Sequence, residues 1–287
     1  MNMMTTSKLE VIPLSPHIGA ELRGLDLSRP LGEADVAAIN RAWLDHIVIV
    51  FRDQTLTQED QLRLTSYFGP IGALGRPPKY FPPGFRSLLP GIMMISNIRE
   101  NGEPIGALPD GEMMFHHDMI HHAIPHDGTM LYSLEIPSYG GDTLFASGYA
   151  AYETLDPALK AKLEGKRARH FYNYGSTQRG DGKGTEAHAE SVHPIFRTHD
   201  KTGRKATYVN RLMTTGIEGM SDEEAGPLLE ALFDHTEKAE FVYRHKWRVG
   251  DALLWDNRCS THARDDFPSD QRRLMLRTTV GGSVVPV

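Results

Sequence analysis

The chain has 287 residues, 40% hydrophobic and 24% charged, with a formal net charge of −6. That is ample material for a buried core, and the acidic balance argues against a nucleic-acid binder, which would carry a basic excess. No apolar run approaches the ~20 residues that span a bilayer, no secretory leader is visible, and the one cysteine, Cys259, allows no internal disulfide, so a cytoplasmic protein without a membrane partner is expected.

In chain order, residues 1–7 are expected to fray. EADVAAINRAWLDH (33–46) has apolar residues at helical spacing. IVIVFR (47–52) is short, β-branched and apolar, and reads as a strand. TQEDQLRLTSYFG (57–69) reads as a second helix, with Thr57 as N-cap and Gly69 as stop. Residues 70–113 are rich in Pro and Gly and predict loops around one strand, 93–97. Strand candidates follow at 129–137, 142–147, 168–173, 193–199, 206–210, 241–248, 251–257 and 274–280. Two helices interrupt them, 148–165 and 221–237, the second opened by a Ser221/Glu224 capping box. The polar, Gly-rich segment 173–191 predicts a mobile loop, and with 70–113 it is a candidate active-site loop. Many short strands separated by turn signals predict a mostly β fold with flanking helices, a sandwich, jelly roll or barrel. No repeat or second domain is evident, so 1–287 is read as one domain.

The chain carries 14 histidines, five of them within the eleven positions 116–126. In FHHDM (115–119), His116 and Asp118 are two residues apart. An extended segment points both to one face and His117 to the other. A His and a carboxylate from one strand, joined by a second His from elsewhere, make the facial triad of non-haem iron(II) oxygenases. Three ligands on one face leave positions open for co-substrate and oxygen. H-x-D alone is a common chance pair; the support lies downstream. His262 closes WDNRCSTH (255–262), and Arg273 and Arg277 follow, four residues apart, on the face of a predicted strand shared with Met275. A guanidinium fork grips a carboxylate bidentately and suits a dicarboxylic co-substrate.

FRDQ (51–54), H-H-D (116–118), GGDT (140–143), HPIFRTH…GRKATYVN (193–210), WDNR…TH (255–262) and QRRLMLRTT (271–279) together resemble the TauD/TfdA family of Fe(II)/2-oxoglutarate-dependent dioxygenases. The resemblance runs from about residue 19 to the end. Twenty-four residues separate Asp118 from Thr143 and ten separate His262 from Arg273, as in the family pattern. The resemblance implies a double-stranded β-helix, a cupin-like jelly roll whose open end holds the metal. It implies Fe(II) on His116, Asp118 and His262, with 2-oxoglutarate and O2 as co-substrates. Thr143 and Arg273 would hold the distal carboxylate of 2-oxoglutarate, and Arg277 would sit beside it and reach the substrate anion. The implied reaction is hydroxylation with release of succinate and CO2, followed by C–O or C–S cleavage where the carbon bears a heteroatom. Asp118 fills the place that is small in halogenating relatives. A homodimer or tetramer is implied as well.

The substrate is narrowed only to a small, amphipathic organic anion, phenoxyalkanoate-like or sulfonate/sulfate-like. Sulfonate-cleaving members carry a histidine shortly after the Phe68-Gly69 pair; PIGALGRPPKYF has none, so taurine itself is not expected. Arg76 and Lys79 are candidate anion contacts, and Met119, with Met113 and Met114, a candidate apolar wall. His117, His121, His122 and Cys259 are left without assigned roles; Trp255, Asn257 and Tyr149 are read as supporting residues. Two other classes stay open: a zinc hydrolase on the same His/Asp/His trio, and a non-catalytic jelly-roll binding protein.

Overall fold

The computed structural model describes residues 9–75, 78–86, 88–107, 111–180 and 188–287. The fold is mostly β, with five α-helices among the described residues. A seven-stranded sheet runs, in spatial order, Glu10–Pro13, Ala20–Arg23, Val48–Phe51, Ala252–Asp256, Gly128–Glu135, Leu274–Val280, Met93–Ser96. All its neighbours are antiparallel except the Ala20–Arg23 and Val48–Phe51 pair. A four-stranded antiparallel sheet has the order Val242–His245, Thr143–Ser147, Ser260–Arg264, Met113–His116. A third sheet joins His188–Pro194, Arg167–Asn173 and Thr214–Ile217.

The continuous apolar run at 47–51 follows from burial on both faces of its strand. Val48 and Val50 enter the core between the two larger sheets, with Leu131, Leu253, Trp255 and Met275 from one side and Phe145 and Tyr243 from the other. Ile49 and Phe51 point the opposite way, into a layer with Ile39, Trp43 and Leu64 of the covering helices. Alternate side chains reach opposite faces, so a strand covered twice must be apolar throughout.

The covering helices end where local chemistry says they should. Glu33–His46 has acidic residues in its first turn. Gln58–Ser66 begins at the predicted Thr57, whose side chain and that of Asp60 form a reciprocal capping box. Asp222–Thr236 has the predicted Ser221/Glu224 box and buries Ala225, Leu229, Leu232 and Phe233. The single helix expected over 148–165 is instead two, Gly148–Thr154 and Pro157–Leu163. Asp156 caps the second and Pro157 stands in its first turn, where its missing N–H costs nothing. The predicted loop at 173–191 is also shorter, since a strand starts at His188. Residues 1–7 lie outside the described residues. No described helix is long and apolar enough to cross a membrane.

The third sheet carries a layer of buried histidines, His170 and His193, with His117 nearby. His170 meets the Thr214 hydroxyl at 3.1 Å, and His193 donates from Nε2 to the His122 carbonyl at 2.9 Å. Burial pushes His193 down to about 4 and His170 well below the ordinary histidine value. The unfolded chain takes up these protons near pH 6.5 while the folded chain does not, so acid favours unfolding. Stability should be full above pH 6.5 and fall toward pH 4, by about 1.4 kcal/mol per pH unit for each such histidine. Urea unfolding at a series of pH values checks this: a His170→Gln/His193→Gln variant should decline less steeply than the parent, and equal slopes would refute the assignment.

Candidate active site and metal centre

The antiparallel pairing of Met113–His116 with Ser260–Arg264 sets His262 directly opposite His116. Their ring centroids are 4.0 Å apart. The extended segment ends at His116, and Asp118 stands in the turn that follows. That turn is tight: Met119 has φ 63°, and its sulfur lies where a Cβ on Gly75 would approach to 2.0 Å. The sequence expectation for His117 holds, because its ring turns away onto Tyr208, with centroids 4.6 Å apart.

His116, Asp118 and His262 each offer a ligand atom, and these atoms lie within 4.8 Å of one another. Two of the three are oriented from behind by hydrogen bonds, and the His262 ring is packed against Trp255, with centroids 4.6 Å apart. His116 donates from Nδ1 to the Met114 carbonyl at 2.9 Å, which leaves Nε2 with its lone pair. Asp118 is fixed by a directional chain. The Trp255 indole donates to Asn257 Oδ1 at 2.8 Å, Asn257 Nδ2 donates to Thr129 Oγ1 at 2.9 Å, and Thr129 donates to Asp118 Oδ2 at 2.6 Å. The other carboxylate oxygen, Oδ1, stays on the cavity side, 3.9 Å from His116 Nε2 and from Arg277 Nη1. Burial pushes His262 down to about 3 and lowers His116 as well. Burial pushes the Asp118 carboxyl up, yet His262, Arg277, His116 and the Thr129 hydroxyl together hold it well below the carboxylate range. Two neutral imidazoles and one ionised carboxylate are the protonation states that bind a divalent metal.

A second buried trio, His199, Asp256 and Cys259, also clusters. It is already satisfied. His199 donates from Nε2 to Asp256 at 3.1 Å and accepts at Nδ1 from the backbone N–H groups of Lys201 and Thr202. Arg258 binds both oxygens of Asp256. Burial pushes the Cys259 thiol well up. His199 and Asp256 are thus engaged with the protein itself, and Cys259 stays a protonated thiol, a poor ligand for an ion.

The first trio opens into a cavity of about 170 Å³, also lined by Met119, Thr143, Arg273 and Arg277. A space of this size suits small molecules. Arg273 is 2% exposed and forms no ion pair among the described residues. Its Nε has no hydrogen-bond partner, and its guanidinium lies 5.9 Å from the Phe267 ring centroid. Burial, and then neighbouring Arg264, push it down to about 9. An enclosed cation without a counter-ion calls for an anionic ligand. Thr143 Oγ1 accepts from the Trp247 indole at 2.9 Å, so its own proton is free to be donated. Both arginines reach the cavity as expected, although the strand starts at Leu274 and its register shifts just after that residue.

Lys79 is not among the cavity-lining residues; it is exposed, with its ammonium 4.7 Å from the Tyr80 ring centroid. Arg76 lies outside the described residues. The sequence reading missed Trp247, Thr129 and the Ser260–Arg264 strand; it also gave no role to His121, which lines the cavity beside Tyr172 and Tyr174.

The family model for taurine catabolism dioxygenase TauD, TfdA family, matches residues 10–279. The chain is 30% identical to (S)-phenoxypropionate/alpha-ketoglutarate-dioxygenase of Sphingobium herbicidovorans, over 95% of each chain. It is 31% identical to the alpha-ketoglutarate-dependent 2,4-dichlorophenoxyacetate dioxygenase of Cupriavidus pinatubonensis, over 95% of this chain and 98% of that one. The crystal structure of AAD-2 in complex with Mn(II) and N-oxalylglycine superposes with a TM-score of 0.81 at 29% identity, covering 98% of this chain and 100% of that one. The chain therefore belongs to the TauD/TfdA family and is an alpha-ketoglutarate-dependent dioxygenase, a class that uses Fe(II), 2-oxoglutarate and O2.

Proposed function

We propose that this dioxygenase hydroxylates a small amphipathic organic anion of the aryloxyalkanoate kind, with release of succinate and CO2. Where the hydroxylated carbon bears a heteroatom, C–O or C–S cleavage follows; sulfonate- and sulfate-like anions are the neighbouring substrate classes. In this reading His116, Asp118 and His262 hold the iron, which when bound supplies the oxidative chemistry. The observation that carries the reading is Arg273, a buried guanidinium without a counter-ion in the same cavity as the trio. Thr143 and Arg273 take the distal carboxylate of 2-oxoglutarate as donors only. Arg277, 3.9 Å from Asp118 Oδ1 and with Nη2 on the Met93 sulfur, anchors the substrate anion beside the co-substrate. Met113, Met119, Met213 and Leu131 supply an apolar wall that excludes water. A zinc hydrolase on the trio would leave Thr143 and Arg273 without a task, and a non-catalytic binder would not need the trio. The same reading has one domain along the chain, built as a double-stranded β-helix from the two larger sheets. It works in the cytoplasm as a homo-oligomer, consistent with a free, buried Cys259.

Succinate release from a panel of phenoxyalkanoates, sulfate esters and sulfonates tests the reaction. At least one acid should turn over, with an absolute requirement for Fe(II), 2-oxoglutarate and O2; turnover with zinc alone would reject it. Thr129→Val keeps the shape but removes the donor to Asp118 Oδ2. Fe(II) affinity should then fall by roughly 10–100-fold, read by metal titration, and unchanged affinity would show that the chain from Trp255 is idle. Trp247→Phe frees the Thr143 hydroxyl to rotate. The KM for 2-oxoglutarate should rise by roughly three- to tenfold, with the KM of the organic acid little changed; an equal rise in both would assign Trp247 to general packing.

A further inference from the structure

Among the described residues His121 is the one histidine whose two ring nitrogens are both buried and both without a hydrogen-bond partner. The other buried histidines of this layer each keep at least one bond: His117 to Asn210, His170 to Thr214, His193 to the His122 carbonyl. His121 is 4% exposed and lines the cavity that holds the metal trio. Its ring is held by aromatic contacts instead, tilted against His122 and Tyr172 at centroid distances of 4.6 Å and 5.0 Å and edge-to-face with Tyr174 at 5.8 Å. Tyr174 is itself stacked on Tyr80 at 5.2 Å.

Those contacts fix the plane of the imidazole and leave its edge polar. A neutral imidazole carries one N–H donor and one acceptor nitrogen. Leaving both unmade in a buried site is unfavourable, so the ring gains from any ligand that brings a matching group. Burial keeps it neutral, with its pKa pushed down to about 3. Tyr172 and Tyr174 present aromatic surface beside it, which suits a ring.

We propose that His121 is a specificity-determining residue that hydrogen-bonds an oxygen or nitrogen substituent on the ring end of the substrate. The preferred substrate is then an aryl acid held at two points, its anion by Arg277 and a polar ring substituent by His121. An unsubstituted apolar ring leaves the imidazole edge unmet. The inference rests on the aryloxyalkanoate reading and adds to it which members of that class are favoured.

The test uses 2-phenoxypropionate and its 2-, 3- and 4-hydroxyphenyl analogues as probes. Their dissociation constants are measured anaerobically by calorimetry on protein loaded with Fe(II) and 2-oxoglutarate, and succinate release is measured in air. At least one hydroxylated isomer should bind the parent protein about tenfold or more tightly than 2-phenoxypropionate. The gain should vanish in His121→Phe and return in part in His121→Gln, which keeps a donor and an acceptor. Each variant is first checked for an unchanged 2-oxoglutarate dissociation constant, and the parent-protein comparison stands if a variant fails to fold. No gain for any isomer, as when water already satisfies the ring, overturns the inference, and so does a gain that survives in His121→Phe. Succinate release from 2-phenoxypropionate with no hydroxyl preference would leave the broader reading intact and remove only this one. No succinate from any organic acid would remove both.

Discussion

The site depends on one cross-strand pair. His116 and His262 are 146 positions apart in sequence, and a single antiparallel register sets them opposite each other. A slip of one residue would turn His262 to the other face and scatter the trio. The register is held from both sides of the strand, because Ser260–Arg264 also pairs residue by residue with Thr143–Ser147. The same pairing places Arg264 opposite Thr143, so the alignment that assembles the trio also sets the cation-rich end of the cavity.

Behind that pair the protein spends its polar interior on orientation. The chain from Trp255 through Asn257 and Thr129 has no freedom in its direction: the indole can only donate, and each later group passes a donor onward. It ends on one oxygen of Asp118 and leaves the other for the cavity. Trp247 performs the same service for Thr143, and its ring is backed edge-to-face by His245 at 4.5 Å. His245 in turn donates to Asp251, which also pairs with Arg52. His116, Asp118 and Thr143 are thus held by neighbouring groups, which is how a small cavity reaches a defined geometry.

The residues that the fold gathers around the cavity were legible in the sequence, because H-x-D, a distant His and two arginines four residues apart are chemically unusual together. The helices were legible for a similar reason: Thr57 and Ser221 announce their caps. The Ser260–Arg264 strand was not, since STHAR has no apolar alternation. It is buried at all five positions by two flanking strands and by the cavity, and only tertiary context says so. Trp247 and Thr129 were opaque because their roles are set by partners 104 and 11 residues away. Lys79, a candidate anion contact in the sequence, is exposed beside Tyr80 and is not among the residues that line the cavity.

The cavity's charge runs against that of the whole chain. Among the described residues its lining contains three arginines, Arg264, Arg273 and Arg277, and one carboxylate, Asp118, in a protein with a net charge of −6. With its low-dielectric walls, such a cleft focuses its field outward and draws anions despite the repulsion of the outer surface. A bound divalent metal would deepen that excess. In the proposed reading a dianionic co-substrate supplies what this interior lacks, a counter-charge for the buried Arg273 and an acceptor for the Thr143 hydroxyl. Arg277, 3.9 Å from Asp118 Oδ1 and so already balanced in part, is in that reading left for a second, singly charged anion. The order of demand follows from burial, because the most enclosed cation is the one that water can help least. The proposed preference for two anions, one strong and one weak, thus rests on the difference in burial between two arginines four residues apart.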